Sequence, residues 1–144
     1  RATDKPVCIA LANSLETRIG GVMAYSLHLR RAALDVDDAE LIASAIAKVH
    51  QDKTLRLTSF SLSYNPLIKA HGVATVLSEL PNHIAEFGLV GCNLDDRCEN
   101  SITAFLARSK DLKMVCVEDN NFSPRVKAGI RKATQHLAGC TTIV

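Results

Sequence analysis

The sequence predicts an α/β solenoid, with short parallel strands on a concave face and helices on a convex face. Three observations lead to this fold class. One spaced set of apolar positions recurs along the chain, and a helix-like segment follows each copy. The composition is that of a globular protein, with 47% hydrophobic, 22% charged and only 4% aromatic residues. At 144 residues, the chain is long enough for one domain with a continuous core of small aliphatic side chains.

The recurring set is clearest in "LTSFSLSYNPL", residues 57–67, where its members stand at offsets 0, 3, 5, 8 and 10. The set begins again at positions 84 and 112, which are 84 − 57 = 27 and 112 − 84 = 28 residues further on, and an earlier copy begins at position 24. The copies are Ala24, Leu27, Leu29, Ala32, Leu34; Leu57, Phe60, Leu62, Asn65, Leu67; Ile84, Phe87, Leu89, Cys92, Leu94; and Leu112, Val115, Val117, Asn120, Phe122. A fifth, weaker copy consists of Cys8, Ala10, Asn13 and Leu15.

Each position in the set has a physical role. Offsets 3 and 5 are alternate residues of a short strand and therefore share one buried face. Asn65 and Asn120, at offset 8, are placed where an amide can bond the backbone of adjacent turns, and Cys92 fills the same slot as a small buried residue. We expect the strands to stay in register and all five positions to be buried.

Helix signals follow each strand. Asp37 and Glu40 have capping-box spacing, and so do Asp96 and Glu99. Ser123 followed by a proline predicts a cap for a helix over 123–137, whose apolar stripe is Val126, Ile130, Ala133 and Leu137. The segment "IKAHGVATVLSEL" is the weakest helix, because its glycine and threonine lower helix propensity.

This pattern resembles leucine-rich repeats, whose core reads L-x-x-L-x-L-x-x-N/C-x-L, and the period of about 28 residues is similar to the ribonuclease-inhibitor subtype. Ala24 and Ala32 depart from the motif. The resemblance implies a single domain over 1–144. Residues 1–22 would form an N-terminal cap or partial repeat, about 24–122 four repeats, and 123–144 a capping helix and tail. It also implies a non-catalytic protein-binding role for the concave face.

Outward residues flank the buried strand positions, and their character changes along the chain from basic through hydroxyl-bearing to acidic. Tyr and Arg are enriched in binding hot spots, which favours a protein partner for this face. The predicted contacts are Arg30, Arg31, Ser61, Ser63, Tyr64, Glu86, Glu118 and Asp119.

Other functional classes have little support in the sequence. A net charge of +2 argues against nucleic acid, and the lack of an apolar run of about 18 residues argues against a membrane span. The five cysteines have neither disulfide-framework nor metal-ligand spacing, which favours the cytoplasm. The stretch "RIGG" at 18–21 lacks the lysine and hydroxyl residue of a phosphate loop. We predict no catalytic residue, no cofactor and no metal site.

Four alternatives stay open. A tropomodulin-like, actin-binding role would use Arg125, Lys127, Arg131, Lys132 and His136, and a GTPase-regulating role would use Arg30 or Arg31. The segment Thr142-Ile143-Val144 matches a PDZ ligand if Val144 is the true C-terminus; otherwise it is an apolar tail packed over the last repeat. The chain opens on "RATDK" without Met, and if repeats precede it, an exposed apolar edge around Cys8 to Ala12 would favour self-association.

Overall fold

The computed structural model describes residues 15–19 and 21–144, with side chains from Gly21 onward. Within these residues strands and helices alternate in an α/β arrangement. The six strands of this part of the chain are β1 Leu15–Ile19, β2 Val22–His28, β3 Leu55–Ser61, β4 Glu86–Gly88, β5 Met114–Cys116 and β6 Thr141–Ile143. The helices are α1 Val36–Gln51, α2 Lys69–Glu79, α3 Glu99–Arg108 and α4 Pro124–Ala133, with a short 3-10 helix, Asp96–Cys98, before α3.

The strand order in the sheet is the order in the chain. Strands β2 to β6 are all parallel, and β1 pairs antiparallel with β2 across a turn in which Gly21 has φ 83°. The predicted register is confirmed at offset 3, where the residues pair directly across the four middle strands. This row is Leu27, Phe60, Phe87 and Val115. The prediction is wrong at the start of the first copy, because a register shift after Tyr25 places the buried Tyr25, and not Ala24, opposite Leu57.

The core lies between the sheet and its helices. It is one cluster that joins the inward strand residues to the apolar stripes of α1 to α4, for example Ile42 of α1, Val76 of α2 and Ile102 of α3. Each helix contacts the next along the chain. The parallel strands have one face under this layer, and their polar residues lie on the other face.

Two helix starts differ from the prediction. Helix α1 is capped by Asp35, in a reciprocal capping box with Asp38, and not by Asp37 with Glu40. The pair Asp96 and Glu99 forms no capping box either. The 3-10 helix before α3 is capped by Asp95, and the Asp96 carboxylate accepts instead from the Ser123 backbone N–H. In each case two nearby aspartates could serve as the N-cap, and the one that comes first in the sequence does so.

The prediction for α4 is confirmed at its start and too long at its end. The Ser123 hydroxyl accepts from the Val126 N–H, with proline in the first turn. The helix ends at Ala133, and Leu137 is buried from the following turns instead. The weakly predicted helix is present as α2.

Four positions predicted to be buried are not: Ala24, Ala32 and Asn120 are half-buried, and Leu67 is on the surface. Leu67 is 53% exposed, whereas Ile68, the next residue, is 0% exposed. The Ile68 N–H donates to the Asn65 carbonyl and closes a tight turn around Pro66, which directs Ile68 inward in place of Leu67.

The sequence did not predict β1 or β6. The tail segment proposed as a PDZ ligand includes two residues of β6, which pairs with β5, so strand addition to a partner would require it to leave the sheet. Cys8, Ala10 and Asn13 of the fifth copy, the Cys8–Ala12 edge and Gly20 of "RIGG" lie outside the described residues. No helix among residues 21–144 has the length and apolar character needed to cross a bilayer.

Candidate binding face

The sheet surface opposite the helices, which we call the open face, carries the alternate residues of the parallel strands. One row across β2 to β5 is Ser26, Ser59, Glu86 and Met114, and the next is His28, Ser61, Gly88 and Cys116. The predicted contact residues therefore lie on or just beyond a single continuous surface.

The backbone turns in the same way where each of these strands ends. Arg31, Tyr64, Gly91 and Asp119 all have positive φ, between 51° and 63°, at the same offset in their units. Three of these residues continue the hydrogen bonding between neighbouring strands through their backbone N–H groups. Arg31 donates to the carbonyl of Ser63, Tyr64 to that of Val90, and Gly91 to that of Glu118. This left-handed turn is costly for side-chain-bearing residues, so its recurrence indicates that the surrounding structure imposes it.

Side-chain amides fix these turns from below. The Asn65 Oδ1 accepts from the N–H groups of Ala32 and Leu34, and its Nδ2 donates to the carbonyls of Leu29 and Leu62. Asn120 makes the equivalent four bonds two units later. In the unit between them, the Cys92 thiol donates to the Leu62 carbonyl of the preceding unit. The predicted role of the offset-8 residue is confirmed, and the turns that carry the face residues are held by it.

A cleft of about 310 Å³ runs along the open face. Its lining includes six of the eight predicted contact residues. These are Arg30, Ser61, Ser63, Tyr64, Glu86 and Glu118. Arg31 and Asp119 do not line it; they are exposed in the turns at its two ends.

The basic end of the cleft is built around an aromatic ring. The guanidinium carbons of Arg30 and Arg31 lie 5.3 and 4.8 Å from the centroid of the Tyr64 ring, within cation–π range. Gly91 makes room for the ring, because a Cβ there would lie 2.7 Å from Tyr64 Cδ1. Sequence reasoning placed these residues on one surface but missed that they stack.

Hydroxyl groups form the middle of the cleft. The His28 Nε2 and Ser59 Oγ share a 2.7 Å hydrogen bond. The Ser61 hydroxyl donates to the Ser63 oxygen, which also accepts from the Val90 N–H. Ser63, predicted as a contact, faces this side but is only 4% exposed, so Ser61 offers more to a ligand than Ser63 does.

The acidic end contains a carboxylate oxygen without a donor. Glu118 Oε2 is buried and has no hydrogen-bond partner among the described residues. Burial raises the pKa of the neighbouring Cys116 thiol, and the negative charges of Glu118 and Glu86 raise it further. Both carboxylates therefore act on one point of the cleft, where they create a negative potential.

The Ser59–His28 pair has the hydrogen bond of a nucleophile and its base, but little else of a hydrolytic site. Ser59 is buried, and in residues 21–144 no carboxylate hydrogen-bonds to the other nitrogen of the His28 ring. Such an orienting group is what a triad requires. No cluster of three metal-ligating side chains occurs in the described part of the chain.

The basic residues of α4 and the turn after it lie away from the cleft. Arg125 pairs with Glu99 of α3 at 2.9 Å, and the His136 Nε2 lies 2.9 Å from the Ser109 carbonyl oxygen, to which it donates. Arg131 and Lys132 stay exposed. The residues of the actin-binding alternative are thus partly used in packing adjacent units together.

No known protein-family model matches the sequence, and no curated protein matches it.

Proposed function

We propose that the chain is a non-catalytic binding module whose open face takes a protein partner. The observation that carries this proposal is that six of the residues predicted as contacts line one cleft, with arginine at one end and glutamate at the other. Stacked Arg and Tyr side chains are typical of interface hot spots. A cleft with fixed polar groups on a rigid sheet suits recognition because little ordering is needed on binding.

We also propose that the fold is a short leucine-rich-repeat solenoid, with the open face as its concave side. Its support is the register of the strands, the equivalent bonds of Asn65 and Asn120, and the left-handed turn in each unit. Such repeats use a curved sheet for recognition. Four described cysteines are free, which supports the cytoplasm as the site of action.

The binding role can be tested by selecting displayed random peptides on the immobilised protein. Charge reversal at Arg30→Glu with Arg31→Glu should weaken the selected peptides at least about tenfold, since hot-spot substitutions cost about 2 kcal/mol or more. Arg131→Glu with Lys132→Glu is the matched control, because this adjacent basic pair is exposed on α4, outside the cleft. The proposal fails if no peptide is selected, or if both double variants bind equally well.

The same two variants separate the cytoskeletal alternative from the face-binding role. A tropomodulin-like function would appear as F-actin co-sedimentation that is lost in the α4 variant and kept in the Arg30/Arg31 variant. No contact in residues 21–144 favours it, or the GTPase-regulating alternative, over peptide binding by the cleft.

A further inference from the structure

We propose that the occupant of the cleft is an extended peptide with an acidic and a basic side chain about four residues apart, lying across the strands. The acidic group would meet Arg30 and Arg31, and the basic group would meet Glu86 and Glu118. This inference rests on the proposed binding function and specifies the partner's chemistry.

The arginine end is prepared for a carboxylate. Neither Arg30 nor Arg31 forms a salt bridge within residues 21–144. Their contact with the Tyr64 ring holds two positive charges together that would otherwise repel. A guanidinium presents a planar set of donors that fits a carboxylate. Because stacking on the ring already restricts the arginine side chain, less conformational entropy is lost when it binds a carboxylate.

No cation of the described part of the chain pairs with the glutamate end. Glu118 Oε2 is buried without a donor among the described residues, and a buried acceptor without a partner costs free energy. Glu86, on the neighbouring strand β4 and in the same cleft, is exposed and forms no salt bridge in residues 21–144. An ammonium or guanidinium group from a ligand in the cleft would offset the negative potential of both carboxylates.

The middle of the cleft favours a slender chain. Gly88 has no side chain, and a Cβ there would lie 3.0 Å from Ser61 Oγ and 3.2 Å from Ser63 Oγ. The middle of the cleft is therefore free of side-chain bulk at Gly88, and the serine hydroxyl groups beside it can bond peptide N–H and carbonyl groups. Small residues between the two charged ones fit this floor better than aromatic ones.

The spacing follows from the sheet. Arg30 follows β2 and Glu118 follows β5, which are three strands apart in the sheet order. Neighbouring strands lie about 4.8 Å apart, so the two ends are separated by roughly 14 Å, or about four residues of extended chain at ~3.4 Å each. The peptide crosses the strands and does not add to the sheet edge.

The test uses fluorescein-labelled heptapeptides in an anisotropy titration. Each test peptide is built from alanine and serine and carries one glutamate and one lysine four residues apart. Two such peptides are made, one with the glutamate first and one with the lysine first. The comparison peptides carry the acid alone, the base alone, or the pair two residues apart. One order of the four-residue spacing should bind at least about tenfold more tightly than every comparison peptide. Equal binding of all the peptides would overturn the inference.

Protein variants assign each charge to its end. The isosteric change Glu86→Gln with Glu118→Gln should weaken the paired peptide at least about tenfold and leave the acid-only peptide unchanged. Arg30→Gln with Arg31→Gln should weaken the paired peptide and leave the base-only peptide unchanged, and Arg131→Gln with Lys132→Gln should change nothing. The peptide comparisons need no variant, so a variant that misfolds does not remove the test.

The two levels of the proposal fail differently. Library peptides that lack an acid–base pair but lose binding on Arg30→Glu with Arg31→Glu would overturn the charge pattern and leave the binding function standing. If no library peptide and no charged heptapeptide binds the open face, both are wrong.

Discussion

Replacing Asn65 with alanine should destabilise the protein strongly, although Asn65 itself does not line the cleft of the open face. The side chain is 0% exposed, and its amide bridges two successive units through four short hydrogen bonds. Asn65→Ala deprives the N–H groups of Ala32 and Leu34 of their acceptor, and the carbonyl of Leu29 of its donor. The Leu62 carbonyl keeps a contact from the Cys92 thiol.

The magnitude follows from these bonds. At about 1 kcal/mol for each of four hydrogen bonds, the loss is about 4 kcal/mol, a large part of the roughly 5–15 kcal/mol that holds a domain folded. Asn120→Ala removes the equivalent bonds, but Asn120 is partly exposed. Because water can then replace the amide, its loss should be smaller.

The assay is urea denaturation followed by far-ultraviolet circular dichroism, since the chain contains no Trp. The free energy of unfolding should fall in the order wild type, Asn120→Ala, Asn65→Ala. A loss below about 1 kcal/mol for Asn65→Ala would refute the reasoning, because it would mean that the amide is not needed to pair the buried backbone groups.

Three further predictions concern other parts of the structure. Gly91→Ala should cost about 1–2 kcal/mol from its positive φ, plus the displacement of the Tyr64 ring, measured by urea denaturation and tyrosine fluorescence. Burial, with the nearby charges of Arg56 and His50, lowers the pKa of His83, so the folded state resists its protonation. Stability should therefore fall as pH drops below 6.5, by at most about 1.4 kcal/mol per pH unit, until the folded-state pKa is passed. Glu118→Gln should lower the pKa of Cys116 and speed its alkylation by iodoacetamide near pH 8.

Each of these predictions has its own control. Gly21→Ala changes a glycine with φ 83° and open space around its Cβ, so it should show the backbone cost without the ring displacement. If Gly91→Ala costs no more than Gly21→Ala, the Tyr64 contact is unimportant. His83→Gln should reduce the loss of unfolding free energy as the pH falls below 6.5. If that loss is unchanged in the variant, other groups cause it. Cys98, fully buried and with its pKa raised to about 11, should stay unalkylated in the folded protein.

The sequence predicted the parts of the fold that repeat. Leu27, Phe60, Phe87 and Val115 could be aligned in advance because a strand buries every second residue, and the same spacing recurs in each unit. The bonds of Asn65 could also be anticipated, because an amide that follows a strand has backbone groups of two turns within reach.

The exceptions to the repeat could not be predicted. Leu67 fits the pattern as well as its equivalents do, but the turn at Pro66 makes Ile68 the buried residue. Strand β6 has no apolar alternation, and its place is set by pairing with β5. The burial of Ser63 depends on contacts from the next unit, which no local pattern records.

The composition of the open face was predictable, but its internal contacts were not. The offsets of Arg30, Arg31 and Tyr64 predict that they share one surface, whereas their stacking depends on the left-handed turn and on the missing side chain of Gly91. The bond between His28 and Ser59 likewise required the register of two strands, because the two residues are 31 positions apart in sequence.

Binding by the open face is tested most directly by nuclear magnetic resonance, with the ¹⁵N-labelled protein titrated with a peptide selected on it. The account predicts backbone shift changes concentrated where β2 to β5 end, at residues 28–31, 59–64, 86–91 and 114–119. Helices α3 and α4 should be unaffected. Shift changes centred on the exposed residues of α4, with the strand ends unchanged, would contradict the assignment of the open face as the binding surface.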